Sequence, residues 1–239
     1  MNAKEKIIIH VEDFTMAYTD IPVIWDIDLD IYAESITAII GPNGAGKSTL
    51  MKGILNLMKP ISGKVKIMGK EYKEVYKDIA YIPQSGSVNW NFPTTVLDVV
   101  AMGRYVHMGV FKRVGKKEKD LAMQALEKMK MKEFAGRQIS ELSGGQKQRV
   151  FIARAIVQDA KLYFMDEPLQ GVDIKTEDLI METMKEFQRE GKTIIAVHHD
   201  LNTLKKYFDH VVIVNKQLIA AGRTNEVFTE HNIRLAYGE

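Results

Sequence analysis

The 239-residue sequence contains no cysteine. That absence excludes a disulfide framework and any zinc site built on thiolates, and it fits a reducing compartment. Also missing is any run near the roughly 18 to 20 consecutive apolar residues that a membrane-spanning helix needs. The opening stretch MNAKEKIIIHVED has a basic start but only the five-residue run IIIHV, histidine included, before two acids, too short for a secretory signal. The chain is therefore expected to stay in the cytoplasm. Neither sign of charge is in excess: the formal net charge is +2, too small for a surface that coats nucleic acid. Internal repeats and low-complexity tracts are lacking as well, so a single copy of one functional unit is expected.

What is present describes a folded α/β protein. Hydrophobic residues make up 46% and charged residues 27%, a balance that rules out a disordered chain. Short β-branched runs recur at Ile7 to Val11, Ser35 to Ile40, Leu162 to Met165, Thr193 to Val197 and Val211 to Val214. Helical patterns lie between them, which points to a largely parallel sheet. Ile24 to Ile31 alternates, with Trp25, Ile27, Leu29 and Ile31 assigned to one face, and so predicts a half-buried antiparallel strand. Helical spacing is clear at Ala122, Ala125, Leu126 and Met129 and at Ile180, Thr183, Met184 and Phe187, with Gly191 placed to end the second helix. The methionines here suit core filling. From about Trp90 to Leu142 the strand signals vanish, and a helical insertion interrupted by Lys112, Arg113, Lys116 and Lys117 is expected.

The loop GPNGAGKST comprises Gly41, Pro42, Asn43, Gly44, Ala45, Gly46, Lys47, Ser48 and Thr49. Its glycines let successive backbone N–H groups turn inward around the β- and γ-phosphates of a nucleotide, and the helix expected at Lys47 to Leu57 adds its positive end. Lys47 supplies a point charge to the phosphates, and the Ser48 hydroxyl a ligand to Mg²⁺. A chance match in a chain of this composition arises roughly once in a hundred.

About 120 residues downstream, LYFMDEP places Asp166 and Glu167 at the carboxyl end of an apolar strand, where open α/β sheets bind ligands. Asp166 suits Mg²⁺ coordination, and Glu167 suits polarisation of an attacking water. A third motif, LSGGQ, spans Leu142, Ser143, Gly144, Gly145 and Gln146 and opens a helix whose apolar stripe is Phe151, Ile152, Ala155 and Ile156. This is a second helix N-terminus suited to an anion.

LSGGQ between a P-loop and a DEP strand end resembles the ATP-binding-cassette family over essentially the whole chain. The resemblance implies a P-loop NTPase fold with a mixed, largely parallel sheet, an antiparallel β subdomain and a helical insertion. The core and β subdomain would cover about 1–89 and 143–239, a RecA-like arrangement, and the helical subdomain about 90–142. It implies ATP and Mg²⁺ as ligands and ATP hydrolysis as the activity. Gln84 in YIPQ matches the family's glutamine loop, which reaches the metal and water. His199 in VHHD matches the switch histidine at the γ-phosphate, in preference to its neighbour His198. Tyr18 in FTMAYTD resembles the aromatic that stacks on adenine. Asp173 in LQGVD resembles the loop joining two active sites, although Gln170 and Gly171 replace the usual residues there. In the family, the signature of one copy closes over the nucleotide of another, so Ser143, Gly144, Gly145 and Gln146 would act in trans and a homodimer is implied.

At finer grain, VNWNFPTTVLDVVAMGRYVH at Val88 to His107, with LQGVD and VHHD, is similar to motors of manganese, zinc and iron-chelate importers. This implies uptake of a transition metal ion, manganese or zinc first, with iron-siderophore, haem or cobalamin uptake as the alternative. Permease subunits would dock near residues 85–110, an extracytoplasmic binding protein would take part indirectly, and the chain would lie at the cytoplasmic face of the membrane. His107 suits packing or surface exposure near that groove rather than metal ligation. A soluble cassette of DNA repair or translation is disfavoured: there is no long coiled coil, only one cassette, and no excess of basic charge.

Overall fold

The computed structural model of the chain describes residues 6–90, 92–108 and 114–238, without the side chain of Ser85. In chain order its strands are β1 (Ile7–Ala17), β2 (Pro22–Tyr32), β3 (Ile36–Ile40), β4 (Ser62–Ile67), β5 (Ile79–Ile82), β6 (Leu162–Met165), β7 (Thr193–Val197), β8 (His210–Asn215) and β9 (Gln217–Arg223). Its α-helices are α1 (Lys47–Ile54), α2 (Tyr72–Val75), α3 (Val96–Ala101), α4 (Lys116–Lys128), α5 (Gly144–Gln158), α6 (Ile174–Arg189), α7 (Leu204–Tyr207), α8 (Thr224–Val227) and α9 (Glu230–Tyr237). Lys77–Glu186 forms one compact unit, and the described residues before Lys77 and after Glu186 form another. The first of these is wider than the expected insertion at 90–142, because it also holds β5, β6, α5 and most of α6.

In the unit formed by the chain ends, β1 lies between β2 and β4 in an antiparallel three-stranded sheet. The predicted alternation in β2 holds from Ile27 to Ile31 but fails at Trp25. Ile24 is fully buried, while Trp25 is half-buried. The cause is a bulge: Phe14 pairs with Ile27 and Met16 with Ile24, so β2 carries one residue more than β1 between these pairs. Asp26 absorbs the extra residue at φ 54, and side chains beyond it switch faces. A second bulge at Asp13, φ 48, performs the same office on β1.

The same unit contains β3 between β7 and β8, both parallel to it, with β9 antiparallel to β8. The sequences ITAII and TIIAV are buried throughout, as strands covered on both faces must be. Helix α1 is shorter than expected from the sequence. Asn56 takes a left-handed conformation, φ 52, and the Leu57 N–H closes on the Lys52 carbonyl at 2.9 Å, which stops the helix.

In the Lys77–Glu186 unit, β5 and β6 pair in parallel. Tyr163, Phe164 and Met165 of β6 are fully buried, as are Ala122 and Leu126, with Ala125 nearly so, on the predicted face of α4, and Met129 just past its end. On α5, Phe151, Ile152 and Ala155 are buried along with Ala153 and Val157; Ile156 is half-buried. Met129, Met181 and Met184 fill the interior as expected. Lys112 and Arg113 of the basic stretch lie outside the described residues.

Candidate active site

The glycine-rich loop leaves the carboxyl end of β3 and enters α1. Gly41 has φ 154, and a Cβ there would stand 2.0 Å from the Val214 carbonyl oxygen. Gly46 has φ 92, and its Cβ would stand 2.1 Å from Ile24 Cγ2. Both positions therefore demand glycine for space as well as for conformation. The loop is braced from outside: Lys216 N–H donates to the Ala45 carbonyl at 2.9 Å, and Trp25 N–H donates to the Lys216 carbonyl at 3.0 Å. Lys47 is 6% exposed, and its Nζ donates to the Gly41 and Pro42 carbonyls at 2.8 and 2.9 Å. The ammonium is thus held inside the curve of the loop. Ser48 is half-buried, while Asn43 and Gly44 face solvent. Tyr18 is 61% exposed, with its hydroxyl 3.3 Å from Thr49 Oγ1, so its ring is available to stack on a planar ligand beside the loop.

Strand register places His199 at the same edge. Ile39 pairs in parallel with Val197, so Gly41 and His199 each stand two residues beyond a matched pair. His198 and His199 then part company. His198 is 6% exposed, its Nε2 lies 2.8 Å from Thr203 Oγ1, and its ring packs 4.9 Å from that of Phe208. Burial holds its pKa below the ordinary value. His199 is exposed. One neighbour is committed to packing, and the other is turned outward.

The Lys77–Glu186 unit repeats this register logic. Ile82 pairs in parallel with Met165, so Gln84 and Glu167 each overshoot by two residues and meet. Gln84 Nε2 donates to Glu167 Oε2 at 2.7 Å. Asp166 is 5% exposed, and its N–H donates to the Ile82 carbonyl at 2.9 Å. Burial, with the Asp166 charge nearby, pushes the Tyr81 phenol up to about 12. Asp166 therefore presents a carboxylate with few waters around it at the end of β6. Within this unit the buried Asp166 carboxylate and the Gln84 amide oxygen are hard oxygen donors of the kind Mg²⁺ takes, and the Ser48 hydroxyl of the other unit is a donor of the same type, so the residue types present suit that ion.

Ser143 caps α5. Its Oγ accepts from the Gln146 N–H at 3.3 Å, and its own N–H donates to Gln146 Oε1 at 2.9 Å, a reciprocal capping box. Because the oxygen accepts within the helix, the hydroxyl proton can point outward, and Ser143 and Gly144 are exposed. A Cβ on Gly145 would meet only Val172 Cγ1, at 3.9 Å, so the signature lies against the LQGVD segment. Asp173 caps the next helix: Thr176 N–H and Oγ1 donate to its carboxylate at 3.0 and 2.9 Å. Those bonds from Thr176 hold its pKa below the ordinary carboxylate value.

Near the segment 85–110, the Trp90 ring lies 4.8 Å from that of Phe151, and Phe92 and Tyr105 are exposed. His107 Nε2 meets the Gln158 carbonyl at 2.5 Å, a contact that ties the segment to α5. Asn91 and residues 109–110 of this stretch lie outside the described residues. The sequence reading missed the Gln84–Glu167 contact and the partnership of Gln170 in it. Aligning YIPQ with FMDE as parallel strand ends would have found the first.

A family model described as ABC transporter matches residues 24–170. A zinc transport system ATP-binding protein of Treponema pallidum is 52% identical over 96% of this chain and 86% of its own length. A manganese transport system ATP-binding protein of Bacillus subtilis is 50% identical over 96% of this chain and 92% of its own length. Among solved structures, a dimeric ATP-binding cassette in a post-hydrolysis state with ADP and Pi superposes with a TM-score of 0.79 at 26% identity, covering 90% of this chain and 98% of that one.

Proposed function

This chain belongs to the ABC transporter family and is an ATPase of it; we propose that it drives an importer of manganese or zinc ions as one half of a head-to-tail homodimer. The observation that carries the cargo assignment is the 52% and 50% identity, over 96% of the chain, to zinc and manganese transport ATP-binding proteins. No helix among the described residues is long and apolar enough to cross a membrane, so passage of the ion falls to permease subunits. These dock near residues 85–110 in the helical subdomain at about 90–142, at the cytoplasmic face, and an extracytoplasmic binding protein delivers the ion to them.

In this reading the Gly41–Thr49 loop and Lys47 hold the phosphates, and Tyr18 stacks on adenine. Ser48, Asp166 and Gln84 would hold Mg²⁺, which supplies neutralising charge to the β- and γ-phosphates. Glu167 orients a water and accepts its hydrogen bond as the water oxygen attacks the γ-phosphorus. The bond from the γ-phosphorus to the bridging oxygen breaks, and ADP leaves with the electron pair. His199 contacts the γ-phosphate from the same chain. Ser143, Gly144, Gly145 and Gln146 close the site from the partner copy, with the Ser143 hydroxyl donating to the γ-phosphate. Asp173 stands at the interface between the copies. Such fixed donors act where charge develops and need little reorganisation.

The test is metal uptake in cells whose own copy carries Lys47→Ala. Manganese or zinc accumulation is expected to fall to background while uptake of iron chelates and cobalamin is unchanged. Loss of chelate uptake with manganese and zinc intact would reverse the cargo assignment. In the purified chain, Glu167→Gln is expected to cut turnover roughly 10²- to 10⁴-fold with ATP binding retained.

A further inference from the structure

Two side chains converge on one amide in the Lys77–Glu186 unit. Gln84 Nε2 donates to Glu167 Oε2 at 2.7 Å and to Gln170 Oε1 at 2.8 Å. A primary amide nitrogen carries two hydrogens, so these bonds use both. The turn after β6 sets up the arrangement. Gln170 N–H closes on the Glu167 carbonyl at 3.2 Å, and Glu167 sits at φ 54, a conformation rarely adopted by a residue with a side chain. Both side chains thereby reach the same nitrogen.

We propose that Gln170 restrains hydrolysis: it holds the Gln84 amide on the Glu167 carboxylate, in a clasp that opens before Glu167 takes up the attacking water. The inference rests on the reading of Glu167 as the group that polarises water. A carboxylate oxygen already accepting from an amide N–H is a weaker acceptor for water, because the bond stabilises its charge. Gln84 also precedes the segment assigned to permease docking. Displacement of that segment would turn the amide nitrogen off the carboxylate, leaving the amide oxygen for Mg²⁺, so the clasp restrains turnover in the undocked chain. Gln170 is exposed, and its replacement leaves the core untouched.

The test uses the full-length purified chain with Mg-ATP and no permease, measured at single turnover so that slow variants are still read. Gln170→Leu keeps the size of the side chain and removes the acceptor. Loss of one such bond is expected to raise the hydrolytic rate roughly three- to tenfold, at unchanged affinity for ATP. In a Gln84→Ala background the same substitution is expected to change nothing, since its effect runs through Gln84. A rate that stays level or falls in Gln170→Leu, or one that rises equally in both backgrounds, overturns the clasp. Glu167→Gln is run alongside: continued hydrolysis there rejects the role of Glu167 itself, whereas a silent Glu167→Gln with a flat Gln170→Leu rejects only the clasp.

Discussion

Adjacent histidines with opposite surroundings make the sharpest residue-level contrast in the molecule. His198 is packed against Phe208 and bonded to Thr203, while His199 is exposed at the edge that carries Gly41. His199→Ala is expected to lower turnover roughly a hundredfold with the melting temperature unchanged. His198→Gln is expected to act on stability. Burial depresses the His198 pKa from its ordinary value of 6.5, so the unfolded chain takes up the proton first as pH falls. Its contribution is fully present above 6.5 and is lost as pH drops through the lower folded value. Chemical denaturation of the wild-type chain between pH 7.5 and 5, at steps of about half a unit, should therefore show a downward slope that His198→Gln flattens. An equal slope in both proteins would contradict the assignment. The sequence singles out His199 only through the family's motif; that its neighbour is the packed ring shows only in the fold.

Elements were legible where one physical signal dominated. The runs LYFM and TIIAV gave strands with the expected ends, because burial on both faces leaves an uninterrupted apolar stretch. The α4 and α6 faces followed from 3.6-residue spacing, and Gly191 at φ 77 ended α6 as expected. The fault lay in β2, where alternation was carried through Asp26 although a bulge there reverses it. Nothing in the sequence marks that bulge except a second aspartate at the partner bulge, Asp13. The loop, the signature and the acidic strand end were visible as motifs, but the Gln84–Glu167–Gln170 contact depends on register between strands far apart in sequence. The bulge makes a direct expectation: Ile24→Ala should cost about 2 to 4 kcal/mol, since it removes a fully buried side chain that also abuts Gly46. Trp25→Ala should cost less despite the larger side chain. Denaturant midpoints of the two variants check this, and a larger loss at Trp25 would mean that the alternation runs unbroken.

On the scale of the whole molecule, the chain carries one glycine-rich loop and one signature, and the signature's exposed Ser143 and Gly144 present donors outward from the start of α5. On the proposed head-to-tail pairing, each loop would receive the other copy's signature, with ATP as the ligand that joins them. Hydrolysis would dissolve the pair, so the Glu167→Gln chain is the form in which to see it. The measurement is the molar mass of that variant by light scattering with Mg-ATP and with Mg-ADP. The expected result is twice the mass of one chain with ATP and a single mass with ADP, the doubling being lost when Ser143 is also changed to Glu. A chain that binds ATP and keeps the mass of one copy, or a pair that forms regardless of Ser143, would contradict the account.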